Sequence, residues 1–461
     1  MLALMRSAAV FGLEACDVQV EVDVSFGLPS FTMVGLPDAS VRESRDRVRS
    51  AIRNSGFEYP PRRVTVNLAP ADVRKAGTAF DLPIALGILA ATGVVARRQI
   101  EDLMLLGELS LDGAIQPTRG VLPVAAAARR TGVRGLLLPR ANAPEAAVVD
   151  GLDIVPVESL QEAVAALNDP STAPRYAGSP AARREPAPEA DFADVRGQAL
   201  ARRALEIAAA GGHNVLMVGP PGAGKTMMAR RVPGLLPPLT FDEAVEVTSI
   251  HSVAGLLPPG AGLVTERPFR APHHTISDAA LVGGGTVPRP GEVSLAHHGV
   301  LFLDELPEFR RRVLDVLRQP LEEGAARITR AARAVVFPAR FMLVAAMNPC
   351  PCGYRGHPIR VCRCPPVLVE RYTGRISGPL RDRLDLVVEV APVASPELVD
   401  APPGEPTAAM RARVLSARER QRQRAAWTGA ALNARLPPRT LREAVRADRR
   451  ALQLLARALD R

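Results

Sequence analysis

Eight residues, Gly219-Pro220-Pro221-Gly222-Ala223-Gly224-Lys225-Thr226, have the types and spacing of a loop that wraps phosphate. They follow a short apolar run, Asn214 to Val218, and open a helical pattern, so the loop falls between a strand and a helix. Small residues there let main-chain N–H groups approach phosphate oxygens, and the positive end of the helix points at the same anion. Lys225 would reach the β- and γ-phosphates of ATP, and the Thr226 hydroxyl would hold Mg²⁺. The alternative, a chance glycine turn, is disfavoured by the strand and helix on either side.

Three further segments could complete such a site. GVLFLDELPEF, Gly299 to Phe309, places four apolar residues in a buried strand ending at Asp304 and Glu305. Carboxylates at that end of a strand lie beside a phosphate loop in an open α/β sheet, where Asp304 would hold the magnesium shell and Glu305 would polarise the attacking water. Asn348 follows the apolar run Phe341 to Ala346, where a polar side chain can orient that water and sense the γ-phosphate; a turn-forming Asn before Pro349 is the less favoured alternative. The loop SGPLRDRLDL, Ser377 to Leu386, offers Arg381 and Arg383, and Arg383 is the candidate for a cation acting on a neighbouring subunit's phosphates, against a surface ion pair within RDRLD. Asp304 lies 79 residues after Lys225, too far for a bare helix and loop, so an insert including Phe269 to Leu281, Gly283 to Gly285 and Pro288 to His298 is expected between them.

Cys350-Pro-Cys352 and Cys362-Arg-Cys364 form C-x-C, nine residues, C-x-C, with His357 between them. Four thiolates could bind Zn²⁺ tetrahedrally, yet structural zinc sites usually space each pair by two to four residues. A zinc site and a reduced loop of free thiols both stay open. The pairs His273-His274 and His297-His298 are poor chelates, because neighbouring side chains point in different directions. One member of each pair is expected to pack inward and the other to face a central pore or the next subunit.

The elements that must position these groups fall into three stretches. At 461 residues there is room for two or three domains. Before Asn168, strands are expected at Val18 to Val24, Arg62 to Leu68, Gly135 to Pro139 and Asp153 to Val157, with helices at Ser40 to Ser55, Ala79 to Thr92 and Pro117 to Thr131: an α+β domain over residues 1–167. Asn168 to Glu189 is rich in Pro, Ala and Ser and reads as a linker, placed at 168–190. Residues 191–392 alternate strands and helices, which implies α/β architecture with a mostly parallel sheet. Residues 393–461 hold two long helical patterns, Glu405 to Trp427 and Arg439 to the end.

Composition narrows the function. No run of about 18 apolar residues and no N-terminal leader occur, and five cysteines do not make a secreted disulfide framework, so a cytoplasmic protein without membrane association is expected. Aromatics are 4% of the chain, too few for a nucleic-acid surface built on stacked rings. Residues 405–461 carry 14 basic and 5 acidic side chains, nearly all of the chain's net charge of +10, which suits phosphate backbones. Arginine-rich coding bias is the plainer account, since only Lys75 and Lys225 are lysine.

Taken together these motifs resemble the YifB/ComM family of magnesium-chelatase-like AAA+ ATPases. VGLPDASVRESRDRVRSAI (Val34 to Ile52), AGTAFDLPIAL (Ala76 to Leu86), GELSLDGAIQPTRGVLP (Gly107 to Pro123), RAPHHTISDAALVGGG (Arg270 to Gly285), PGEVSLAHHGVLFLDELPEF (Pro290 to Phe309), NPCPCGY and RISGPLRDRLDL carry the likeness across nearly the whole chain. The resemblance implies a Lon-protease-like N-terminal domain, an AAA+ core with an insert in its second helix, and a C-terminal helical lid. It also implies a homohexameric motor on single-stranded or branched DNA, with branch migration as its activity and Arg383 at the arginine-finger position. The family lid continues with a helix bearing a second sensor arginine, and the sequence stops at Arg461 before it, so a truncated lid is expected. A magnesium-chelatase-type motor subunit and a protein-remodelling ATPase are the alternatives.

The Lon-like domain should be proteolytically inactive. Lys75-Ala76-Gly77-Thr78 offers no serine and Arg119-Gly120-Val121-Leu122-Pro123 no lysine, so acyl transfer lacks its nucleophile and base. Casein or peptide hydrolysis by the purified chain should be undetectable; hydrolysis that disappears on Thr78→Ala would contradict this.

Overall fold

Alternation of apolar and polar residues runs from Glu14 to Ser25 and makes a strand that buries Val18, Val20, Val22 and Val24. It pairs antiparallel on one side with Leu2–Phe11 and on the other with Arg63–Ala69. The Leu2–Phe11 strand is hidden in the sequence, because Ala8, Ala9 and Val10 run together and blur the period of two. A computed structural model describes residues 1–71, 75–96, 102–178, 190–285, 288–330, 333–392, 402–445 and 447–459, and among these the chain forms two large sheets. The first orders Ser30–Val34, Arg63–Ala69, Glu14–Ser25, Leu2–Phe11, Leu103–Leu105, Gly135–Pro139 and Asp153–Val157. One face is covered by Ser44–Asn54 and the wholly buried helix Asp81–Ala91, the other by Val121–Arg130. The single helix expected over Ser40 to Ser55 is two, Ala39–Arg42 and Ser44–Asn54, meeting at Glu43.

The second sheet is parallel throughout, in the order Phe269–Arg270, Val300–Leu303, Met342–Met347, Val215–Val218, Leu386–Glu389. Its strands are continuous apolar runs because helices cover both faces, giving one core around Val215, Met217, Phe302 and Val344 and another around Leu301, Leu303, Leu343 and Ala345. Asn214 ties three strands at their starts: its backbone N–H donates to Asp385, its side-chain Nδ2 donates to the Arg383 carbonyl at 2.9 Å, and its side-chain Oδ1 accepts from the Leu343 N–H at 2.9 Å. Phe269–Arg270 corrects the expected insert, since part of that stretch is the edge strand of the core sheet. Two residues are too short to leave a periodic signal.

The stretch expected to be a free linker is partly docked. Tyr176 donates its N–H to the Ile154 carbonyl at 2.9 Å, and Ala173 packs on the first sheet's core; residues 179–189 lie outside the described residues. At the far end, Thr407–Thr428 lies along Ala199–Gly211 and Lys225–Leu235 through Met410 and Val414. Several of its arginines are structural rather than free. Arg413 forks onto Glu206 at 2.8 Å on both oxygens, and Arg418, whose guanidinium burial pushes down to about 10, donates to the Ala209 carbonyl. The expected second long helix is two, Pro438–Val445 and Arg449–Leu459. No helix among the described residues is long and apolar enough to cross a membrane.

The two sheet units meet at several points, Phe11 and Leu13 on Ile328, Val335 and Phe337 among them, and one of these contacts is a buried hydroxyl. Ser252, near the end of helix Phe241–Ala254, donates to the Glu145 carboxyl and accepts the Gly120 N–H at 2.9 Å. Glu145 also accepts from the Leu122 N–H at 2.8 Å and from Asn142, and burial raises its pKa. Removing the hydroxyl leaves a buried donor and an under-solvated carboxyl. Ser252→Ala should therefore cost about 1–3 kcal/mol, read as a lowered thermal midpoint; an unchanged midpoint would show that this junction carries no stability.

Candidate nucleotide site

The loop Gly219 to Thr226 leaves the strand Val215–Val218 and enters the helix Lys225–Leu235, as its sequence requires. Gly222 and Gly224 have φ of +78° and +86°, and an added Cβ at Gly222 would meet nothing within 4 Å, so the loop backbone faces open space there. Gly219 is needed for the opposite reason: its Cβ would come 2.3 Å from the Val390 carbonyl oxygen of the neighbouring strand end. A cradle of accessible amides at a helix start fits a triphosphate.

The parallel register brings the other groups to the same edge. Val218 pairs with Met347, and Leu303 with Ala345, so Asp304, Glu305 and Asn348 leave adjacent strand ends beside the loop. Thr226 Oγ1 lies 2.6 Å from Asp304 Oδ2, which are the two oxygens that would share a magnesium coordination shell. Lys225 Nζ donates to the carbonyls of Gly219 and Pro220 at 2.7 and 2.9 Å and to Asn348 Oδ1 at 3.2 Å. Burial lowers the lysine pKa, and the charges of Asp304 and Glu305 oppose that.

Glu305 is exposed and left-handed, at φ +52° and ψ +46°, and its N–H donates to Asp304 Oδ1 at 2.9 Å. A non-glycine residue in that region is held at a cost of about 1 kcal/mol or more, and such residues cluster at functional sites. The twist separates two consecutive carboxylates, one toward Thr226 and the other outward. His274 Nδ1 stands 3.5 Å from Glu305 Oε2, with its ring edge-on to Phe309. Sequence reasoning missed His274 as a partner of Glu305, because 30 residues separate them and only the fold joins them.

Arg383 is not at this edge. Its guanidinium holds Glu322 Oε1 at 2.6 Å, the surface pair the alternative reading named, though with a different carboxylate. It sits beside Asn214, at the start of the strand whose end carries the phosphate loop, about 16 Å away by strand rise.

Both histidines of the second pair turn onto one residue, where one inward and one outward were expected. His297 and His298 place Nε2 at 2.7 and 2.8 Å from Glu246 Oε2. His297 is buried, and its Nδ1 accepts the Arg340 N–H at 2.9 Å, so its Nε2 carries the proton given to Glu246; burial pushes its pKa down to about 4. A ring with both nitrogens so engaged is a brace for the segment entering Val300–Leu303 and not a metal ligand. The four cysteines do converge, with sulfur–sulfur distances of 3.4 Å for Cys350–Cys352 and 3.6 Å for both Cys350–Cys362 and Cys352–Cys362. Cys364 joins them, with all four sulfurs within 4.8 Å of one another.

Three family models match the chain: "Magnesium chelatase, subunit ChlI" over residues 191–398, "Subunit ChlI of Mg-chelatase" over 20–142, and "Magnesium chelatase, subunit ChlI C-terminal" over 404–461. The chain is 46% identical to competence protein ComM of Haemophilus influenzae over 441 residues, 94% of this chain and 85% of that one. It is also 46% identical to the uncharacterized protein YifB of Escherichia coli over 430 residues, 92% of this chain and 83% of that one. A shorter likeness, 30% over 167 residues, joins 33% of the chain to 20% of the Lon protease of Chloroflexus aurantiacus. With its phosphate loop facing an acidic strand end in a parallel sheet, the chain belongs to the YifB/ComM family of magnesium-chelatase-like AAA+ ATPases.

Proposed function

We propose that this chain is an ATP-hydrolysing motor that assembles into a homohexameric ring and moves DNA strands, with branch migration or helicase activity as the output. The observation that carries the reading is the Thr226–Asp304 contact at 2.6 Å beside Lys225 and Asn348. Thr226 and Asp304 would hold Mg²⁺, which would supply positive charge against the negative charge developing on the phosphates. Lys225 would exchange its own loop's carbonyls for phosphate oxygens, the loop amides and helix start would hold the remaining charge, Glu305 would take a proton from the attacking water, and Asn348 would orient it. The exposed Arg383, paired with Glu322 in the isolated chain, would act on a neighbouring subunit's phosphates if the chain forms the proposed ring.

DNA as the partner is supported by a relative and by charge. ComM is by its name a competence protein, and residues 405–461 remain basic after Arg413 and Arg418 are set aside for packing. Residues 1–167 are read as a Lon-like domain without peptidase chemistry. A magnesium-chelatase motor subunit is the second reading, favoured by the family models. Steady-state ATPase measured with and without single-stranded and branched DNA separates the two. Stimulation several-fold, weakening steeply with salt, is expected, and Glu305→Gln should lose about a hundredfold in turnover while still binding ATP. No response to any DNA form would favour the chelatase reading, and parental turnover in Glu305→Gln would remove Glu305 from its role.

A further inference from the structure

The loop between Asn348 and the helix Pro366–Thr373 has no hydrophobic reason to hold its shape. Ile359 and Val361 at its far end are 85% and 84% exposed. What converges in it is sulfur. Cys350, Cys352, Cys362 and Cys364 are all free thiols, and three of their sulfurs lie 3.4–3.6 Å apart. That is far beyond a disulfide bond and close to the edge of a tetrahedron of thiolates about 2.3 Å from a central zinc, an edge of about 3.8 Å. Weak S–H donors gain little by clustering at an accessible site, and thiolates would repel one another unless a cation lay among them.

The one-residue spacing within each pair is no obstacle here. A turn closed by the Gly353 N–H on the Cys350 carbonyl, with Gly353 at φ +84°, presents Cys350 and Cys352 to the same point. The Cys364 N–H reaches back to Cys362 Sγ at 3.5 Å, the kind of amide contact that steadies a metal-bound thiolate. His357 is not a fifth candidate through Nδ1, which accepts the N–H groups of Ile359 and Arg360. The sulfurs lie too close together to enclose a multi-iron cluster, and an all-thiolate tetrahedron of this size suits Zn²⁺.

The site also abuts the phosphate loop. A Cβ on Gly353 would come 2.6 Å from Pro221 Cδ, so the turn between the two cysteine pairs packs directly on Pro221, and Cys350 is two residues from Asn348. We propose that the four cysteines bind one Zn²⁺, which clips this loop shut and braces it against the phosphate loop.

The test is metal analysis of the full chain as purified, with hydrogen exchange before and after removal of the metal by a thiol-modifying reagent and chelator. About one equivalent of zinc per chain is expected in the parent and in Cys16→Ser, and less than a tenth in Cys352→Ser/Cys362→Ser. Stripping should raise exchange at both 350–364 and 219–226. Iron in place of zinc, under a tenth of an equivalent in the parent, or zinc retained in the double variant would overturn the site. Faster exchange in 350–364 alone would overturn the bracing. Should the double variant fail to fold, cobalt added to the parent stripped by chelator alone decides the same question: the intense visible absorption of tetrahedral thiolate-bound Co²⁺ is expected, and its absence counts against the site. None of these readouts needs nucleotide hydrolysis, so the ATPase reading stands or falls separately.

Discussion

The arrangement on which everything else depends is the parallel register that ends three strands at one edge. Val218, Leu303 and Met347 finish side by side, and each hands on to a polar residue: the phosphate loop, Asp304, Asn348. Strand pairing alone fixes that proximity, because a slip of one residue would turn every side chain to the opposite face. The Asn214 tie at the other end of the sheet guards the register by holding three chains at once. Its side chain does for the strand starts what the loop does for the strand ends.

From this edge outward the site is built on separated charges. Burial lowers the Lys225 pKa and the charges of Asp304 and Glu305 oppose that, while three oxygen acceptors surround its ammonium. Glu305 sits in a left-handed conformation that points it away from Asp304 and toward His274. The segment between the phosphate loop and the acidic strand therefore reaches Glu305 through His274 and supports that strand through His297 and Glu246. The first sheet's unit meets this one at Ser252, near the end of the helix Phe241–Ala254 that also carries Glu246.

How much was legible in the sequence follows from the range of each interaction. The phosphate loop and the acidic pair are local strings whose neighbours in sequence are also their structural context, and the structure sets them together as their types require. Gly135–Pro139 and Asp153–Val157 were legible to the residue, because buried strands between turns leave sharp ends. Leu2–Phe11 and Phe269–Arg270 were not, the first for lack of alternation and the second for lack of length. His274 beside Glu305, the double histidine grip on Glu246, and Arg413 and Arg418 spent on helix packing all depend on contacts between distant segments. Charge counted along the sequence could not separate an arginine that packs from one that is free. The cysteine spacing pointed away from a metal, and only the turn at Gly353 shows why it need not.

The most direct test is equilibrium binding of ATP to the full chain with Mg²⁺, parent against Lys225→Ala, by calorimetry. Saturable magnesium-dependent binding in the parent, lost or weakened at least tenfold in the variant, is what this geometry predicts. A parent chain that binds no ATP with magnesium, or a variant that binds as tightly as the parent, would contradict it.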